Sequence, residues 1–165
     1  MNKPKEFPSV EAVYDKALDM LAIREHGGRD MFEKLLLKGA TEEQAEQVVA
    51  LLKQAGLIDE LRYGKAVYRG WLDKRCFGKV HLVGTLTKKL VDKSVWQEIL
   101  GEFTPELEEE HAREAALLFH TKYHNKHFEN KKKLWATAAA FMVNRGFGSG
   151  YMDLVLEYFN QNNQD

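Results

Sequence analysis

An apolar pattern that recurs three times constrains the fold of this chain more than any other feature. Measured from Gly39, Leu90 and Gly146, apolar residues recur at the same offsets on both sides of each anchor. Four residues before the anchors lie Leu35, Leu86 and Met142; nine beyond lie Val48, Ile99 and Val155; thirteen beyond lie Leu52, Phe103 and Phe159. Such offsets place side chains on one stripe of a helix. The pattern predicts helix pairs with a short break, repeated at 51- and 56-residue spacings.

Each copy also has an apolar-periodic segment before the pair, which predicts a third helix. These helices are expected over about 9–25, from about Asp59 to Arg75, and from Thr104 onward. The predicted fold is all-α, with three tandem three-helix repeats forming an elongated, curved array. The predicted organisation is a flexible N-terminus, three repeats and a tail, over 1–8, 9–56, 57–104, 105–160 and 161–165.

Helix start signals agree with this reading. Ser9 is an expected N-cap, and Thr104 precedes a proline at the favoured first helical position. Thr41-Glu-Glu-Gln44 and Ser94-Val-Trp-Gln97 both match the capping-box pattern.

Composition narrows the class of protein. No apolar run is long enough to cross a bilayer, and the first residues do not resemble a signal peptide. The single cysteine, Cys76, excludes an internal disulfide, so a cytoplasmic protein is expected. Lys74 and Arg75 beside Cys76 would lower the thiol pKa, but no general base is evident. With no catalytic motif in the sequence, we expect a protein that is not an enzyme and has no catalytic residues.

The middle third of the chain is its basic part, although the net charge is −1. Residues 57–104 contain nine basic and six acidic residues. The candidate partner-binding residues there are Arg62, Lys65, Arg69, Lys74, Arg75, Lys79, Lys88 and Lys89. Arginine pairs carboxylates and phosphates through two parallel hydrogen bonds. The alternative is an ordinary solvated face.

A second basic group occurs near the C-terminus. Lys131, Lys132 and Lys133 precede Trp135, a pattern typical of a small nucleic-acid contact patch. The alternative is a solvated helix start with Trp135 in the core. Arg145 completes the set of candidate binding residues.

The histidines do not point to a metal site. His120, His124 and His127 fall on one helical stripe, but three ligands on one straight helix rarely converge on a tetrahedral ion. We expect the end of a helix there, where histidines favour the dipole. His26 is likewise expected at a helix C-terminus. No metal and no cofactor are predicted.

Several segments, in order along the chain, resemble the RecX family. They are Ala17-Leu18 with Leu21-Ala22, Arg24-Glu25-His26, Lys34-Leu35 with Lys38-Gly39, Leu57-Ile58-Asp59 with Arg62-Tyr63, Ala66 and Arg69, Lys131 to Leu134, and Asn144-Arg145-Gly146-Phe147. The resemblance covers about residues 10–160. It implies a regulator that binds the RecA filament, lies along its groove on DNA, and restrains ATPase, strand-exchange and coprotease activities in recombinational repair and the SOS response. We also expect a monomer.

This sequence departs from the family pattern at two places. A serine that often follows the histidine, and could cap the next helix, is replaced by Gly27-Gly28. In the second repeat, Val83-Gly84-Thr85-Leu86 stands where a more basic helix is usual. Two other functions remain open, a helical nucleic-acid-binding protein and a scaffold for other protein partners.

Overall fold

The computed structural model describes residues 6–162, and within them the chain is all-α, as predicted. The described helices are α1 (Val10–Ile23), α2 (Gly28–Leu37), α3 (Glu42–Gln54), α4 (Glu60–Leu72), α5 (Lys79–Lys88), α6 (Trp96–Glu102), α7 (Pro105–Tyr123), α8 (Lys131–Asn144) and α9 (Met152–Asn162). Short 3₁₀ turns, Lys93–Val95 and Ser149–Tyr151, precede α6 and α9. The parts of the predicted N-terminus and tail at 1–5 and 163–165 lie outside the described residues.

The described chain groups into two compact units. Unit 1 contains the residues up to Arg69 together with Leu86–Ile99, and unit 2 contains Gly70–Thr85 together with the residues from Leu100 onward. The division between them falls inside α4, α5 and α6. The predicted division into three repeats therefore stays a prediction.

The three sequence anchors share one backbone geometry. Gly39, Leu90 and Gly146 all have positive φ, at 104°, 57° and 77°. Each follows the end of a helix by two residues, and the next amide donates back to the residue four before the anchor. The bonds are Ala40 N to Leu35 O (3.0 Å), Val91 N to Leu86 O (3.0 Å) and Phe147 N to Met142 O (3.1 Å). This is the Schellman ending, whose two closing residues are usually apolar and here are buried.

Three of the four predicted helix caps are present. Ser9 and Thr104 accept backbone hydrogen bonds from Ala12 and Leu107, and Thr41 forms the full capping box with Gln44. The capping box predicted at Ser94 is wrong. Asp92 accepts from the Ser94 amide and begins a 3₁₀ turn, so the regular helix starts only at Trp96.

In unit 1, α1 and α2 both pack against α3. Their shared core contains the predicted Leu35, Val48 and Leu52 together with Val13, all fully buried. Phe7 also packs against this core, although it lies in the segment predicted to be a flexible N-terminus.

In unit 2, α7 and α8 pack against α9. Phe119 of α7 lies at the centre, with ring centroids 5.2 Å from Phe141 and 5.4 Å from Phe159. Such edge-to-face pairs add to the free energy of apolar burial. The last helix continues through Asn162, so 161–162 belong to α9 rather than to the predicted tail.

Glutamates from distant helices cap α2 and α5. Glu60 Oε1 of α4 accepts from the Gly28 amide at 3.0 Å, and Glu108 Oε1 of α7 accepts from the Lys79 amide at 2.7 Å. A carboxylate there satisfies an unpaired amide and the positive end of the helix dipole. The glycines are needed for this approach, because a Cβ on Gly27 would lie 2.9 Å from Glu60 Oε2 and 2.6 Å from Tyr63 Cδ1. The Gly27-Gly28 departure thus leaves α2 capped from α4.

Candidate binding surfaces

The structure places five of the predicted binding residues in unit 1. Arg62, Lys65 and Arg69 lie at helical spacing along α4, and Lys88 and Lys89 lie where α5 ends. The Tyr63 hydroxyl of α4 donates to the Lys89 carbonyl at 2.8 Å. That bond holds the basic turn against the helix carrying the other three cations. Unit 1 therefore brings these residues into one region.

Two of these cations already have acidic partners within the chain. Arg62 Nε lies 2.8 Å from Glu25 Oε1, and Arg62 Nη2 donates to the Leu57 carbonyl at 3.1 Å. Lys65 Nζ lies 2.8 Å from Glu98 Oε1. Because these pairs join separate parts of unit 1, we assign Arg62 and Lys65 a structural contribution. Arg69, Lys88 and Lys89 are exposed and remain the better candidates for contact with a partner.

Unit 2 contains the other seven predicted residues. Lys74, Arg75 and Lys79 are exposed. Lys74 and Arg75 follow the end of α4, and Lys79 is the first residue of α5. Arg145 differs, because its guanidinium carbon lies 3.7 Å from the centre of the Phe141 ring and its Nε is buried. A cation so close to an aromatic face is part of the packing. Arg145 is therefore a poor candidate for binding.

The lysines at the start of α8 are exposed, and so is the tryptophan beside them. Asn130 caps this helix by accepting from the Lys133 amide at 3.0 Å. Trp135 is 53% exposed, so the alternative that placed it in the core is wrong. Lys133 pairs with Glu129, which leaves Lys131 and Lys132 as the exposed cations nearest the ring in sequence.

Sequence reasoning missed a buried polar cluster around Asp30. His26 is 2% exposed and its Nδ1 lies 2.6 Å from Asp30 Oδ2, which also lies 3.1 Å from Arg24 Nη2. Burial alone would raise the pKa of the Asp30 carboxyl. The hydrogen bond from His26 and the positive charges of Lys34 and Arg24 outweigh burial and lower this pKa to about 2. His26 is thus a core residue that orders the α1–α2 connection.

Tyr63 takes part in the same electrostatic environment. Burial, followed by the negative charge of Asp30, raises the pKa of Tyr63 to about 12. Its hydroxyl donates to the Lys89 carbonyl, and the raised pKa keeps that donor protonated even in alkaline solution. The one available clue in the sequence is the spacing of His26 and Asp30, four residues apart.

The histidines near the end of α7 contact backbone carbonyls. His120 Nε2 lies 3.3 Å from the Asn162 carbonyl, and His124 Nδ1 lies 3.1 Å from the Thr121 carbonyl. Among residues 6–162, no group of three or more histidine, cysteine, aspartate or glutamate side chains has a geometry that could hold a metal ion. In the same part of the chain, no helix combines the length and apolar character needed to cross a bilayer.

No protein-family model matches the sequence, but individual relatives do. A regulatory protein RecX of Pseudomonas putida is 31% identical over 104 residues, which cover 52% of this chain and 73% of the relative. One from Vibrio vulnificus is 28% identical over 140 residues, covering 85% and 88%. One from Pelodictyon phaeoclathratiforme is 32% identical over 87 residues. That match covers 53% of this chain and only 54% of the relative.

Solved structures agree on the fold. A crystal structure of a regulatory protein RecX superimposes with a TM-score of 0.77 at 23% identity, covering 90% of this chain and 73% of that one. The structure of RecX from Lactobacillus salivarius gives a TM-score of 0.74 at 17% identity, covering 92% and 97%. At these identities the likeness concerns the fold.

Proposed function

Because the chain belongs to the RecX family of regulatory proteins, we propose that it binds the RecA filament on DNA and restrains RecA's activities in recombinational repair and the SOS response. The observation that carries this proposal is the extent of the similarity. The Vibrio vulnificus relative, named a regulatory protein, aligns with 85% of this chain. The protein would act as a non-catalytic monomer in the cytoplasm, where it meets RecA.

The exposed cations supply the contacts in this proposal. Arg69, Lys88 and Lys89 in unit 1 are exposed, as are Lys74, Arg75 and Lys79 in unit 2. They would engage acidic side chains of RecA or phosphates of the DNA inside the filament groove. The expected partner-binding set is thereby narrower than the sequence alone predicts, since Arg62, Lys65 and Arg145 have structural contacts.

Regulation then follows from unequal binding to different filament states. A ligand shifts an equilibrium only by the difference in its affinity for the two states. Several modest contacts to adjacent subunits of one filament add avidity without any single strong site. Substoichiometric protein can therefore alter many RecA subunits if it stabilises a filament end or an inactive stretch.

The proposal predicts that the purified protein lowers the DNA-dependent ATPase rate of its cognate RecA and shortens its filaments. Both effects should appear below one protein per RecA subunit, because one bound regulator affects its neighbours in the filament. ATPase rate and filament length by electron microscopy are measured over the same titration. An unchanged rate and unchanged lengths at saturating protein would refute the proposal.

Charge reversal of exposed cations tests whether they contact the RecA filament. The pair Arg69→Glu and Lys88→Glu should weaken binding to RecA filaments about tenfold, since like charges across an interface oppose association. Lys122→Glu, at an exposed lysine of α7 outside the candidate set, is the control. Equal affinity of the double variant and the control would move the contact elsewhere.

A second candidate function is binding of single-stranded nucleic acid through α8, favoured by the exposure of Trp135 beside Lys131 and Lys132. Base stacking on an aromatic ring contributes roughly 1–3 kcal/mol per base. Trp135→Ala should then weaken binding to oligo(dT) about tenfold without RecA, and affinity should fall steeply with added salt. Binding is measured by fluorescence anisotropy of labelled oligo(dT) at low salt. If the protein does not bind the oligonucleotide under these conditions, this second function is rejected.

A further inference from the structure

The two most exposed large apolar residues of the described chain line one cavity in unit 1. Ile23 is 84% exposed at the end of α1, and Leu37 is 77% exposed at the end of α2. With Met20 they border a cavity of about 410 Å³. Single exposed aliphatic residues are ordinary on protein surfaces, but two that border one concavity form an apolar site.

The rest of this cavity is basic. Arg24, Lys34 and Lys38 line it, together with His26, and no acidic residue does. Asp30 neutralises one charge by pairing with Arg24 at 3.1 Å and Lys34 at 3.6 Å. Three cations against one carboxylate leave an excess of positive charge. Lysines near the end of α2 also favour its dipole, which accounts for their position but not for the exposed Ile23 and Leu37.

We infer that this cavity, bordered by Ile23 and Leu37 and lined by Arg24, Lys34 and Lys38, binds an acidic segment of RecA carrying an apolar anchor residue. The anchor fills the concavity between the two aliphatic side chains, and flanking Asp or Glu side chains pair with Lys38 and with the excess charge beside Asp30. The inference rests on the proposed function and adds a second contact surface, which combines apolar and basic groups. None of its residues belongs to the basic set predicted from the sequence.

Ile23 and Leu37 border the concavity and basic side chains line the rest of it, which matches the anatomy of protein interfaces, in which an anchor side chain is buried at the centre and polar groups surround it. A lipid surface offers no single side chain to fill such a concavity. An acidic protein segment is therefore the occupant that both the shape and the charge favour.

The first experiment measures filament affinity of the Ile23→Ser, Leu37→Ser double variant by co-sedimentation with cognate RecA on single-stranded DNA. The variant should bind at least about tenfold more weakly, as expected for loss of a central apolar contact. Its matched control is Val80→Ser with Val143→Ser, two aliphatics each 68% exposed in unit 2. All four sites are exposed, so the helical content of both variants should equal that of the unchanged protein.

The outcomes separate the two proposals. If the unchanged protein does not bind the filament, the proposed function fails. If it binds and the Ile23, Leu37 variant binds equally well, only this inference fails. Sedimentation with anionic lipid vesicles is run in parallel, and vesicle binding that Ile23→Ser abolishes would assign the cavity to a membrane and overturn the inference.

The chemistry of the partner is tested by photo-crosslinking. A benzoylphenylalanine at position 37 should crosslink to a RecA peptide rich in Asp and Glu, identified by mass spectrometry, and Lys38→Glu should reduce the yield several-fold. The same photoreactive residue at position 80 is the control. Crosslinks from position 37 to a basic or uncharged RecA peptide would overturn the inference.

Discussion

Replacing Gly146 with alanine should lower the free energy of unfolding by about 3–5 kcal/mol, through left-handed backbone strain and overpacking combined. Gly146 has φ +77°, and a Cβ there would lie 2.2 Å from the backbone nitrogen of His81. Backbone cannot rotate away as a side chain does, so α5 would have to move. That movement strains the bonds from the Gly78 amide to the Arg145 carbonyl and from the Val80 amide to the Gly146 carbonyl.

The control for this prediction is Gly56→Ala. Gly56 also has positive φ, at +69°, but nothing lies within 4 Å of its added Cβ. Only the conformational penalty applies there, about 1 kcal/mol. Urea denaturation followed by circular dichroism compares the two, and hydrogen exchange at the Val80 amide should accelerate in Gly146→Ala alone. Equal losses of stability would show that the close approach to His81 carries no energetic weight.

The sequence predicts the repeated helix ending because that feature is local. The anchors Gly39 and Gly146 are glycine, the residue that adopts positive φ without steric cost. Leu90 adopts the same conformation although it is not glycine, so only the apolar residues around it indicate that a helix ends there. The spacing of apolar residues along one helix and its closing turn is enough to predict where the helix ends. The same spacing predicts which of these residues are buried.

Contacts between distant residues could not be read in the same way. Whether Arg62 is free for a partner depends on Glu25, and whether Lys65 is free depends on Glu98; helical spacing says nothing about either pair. The N-cap residue of α2, Gly27, has no side chain to cap the helix, and nothing in the local sequence indicates that Glu60 of α4 does so instead. These contacts depend on which distant residues the fold brings together, and a single sequence does not show which residues will meet.

Trp135 illustrates a limit of periodicity. It lies three residues before the buried Ala138, on the same helical stripe, so the pattern alone directs it inward. Its exposure depends on whether another element covers the first two turns of α8. Leu37 is a different case, because Lys34 and Glu33 lie three and four residues before it and helical spacing therefore does not place it on an apolar stripe.

Replacing Asp30 with asparagine should lower the free energy of unfolding by about 2–3 kcal/mol at pH 7, since a pKa unit corresponds to roughly 1.4 kcal/mol. The Asp30 pKa is about 2 in the folded chain, against an ordinary value of 3.8. An amide can still accept from His26, but it cannot balance Arg24 and Lys34. Asp19→Asn is the control, because that side chain is 73% exposed and its pair with Lys16 contributes little.

The contribution of the Asp30 carboxylate to the free energy of unfolding should depend on pH. A carboxyl whose pKa is depressed by folding stabilises the protein fully above its unfolded pKa, and this contribution disappears as pH falls towards the folded value. The stability gap between the unchanged protein and Asp30→Asn should therefore be present above about pH 5 and should narrow between about pH 4 and pH 2. Other carboxyls titrate in both proteins, so the narrowing over this low range reports on Asp30. A gap of equal size at pH 7 and pH 2.5, measured by urea denaturation, would mean that the ionised carboxylate does not hold the α1–α2 connection.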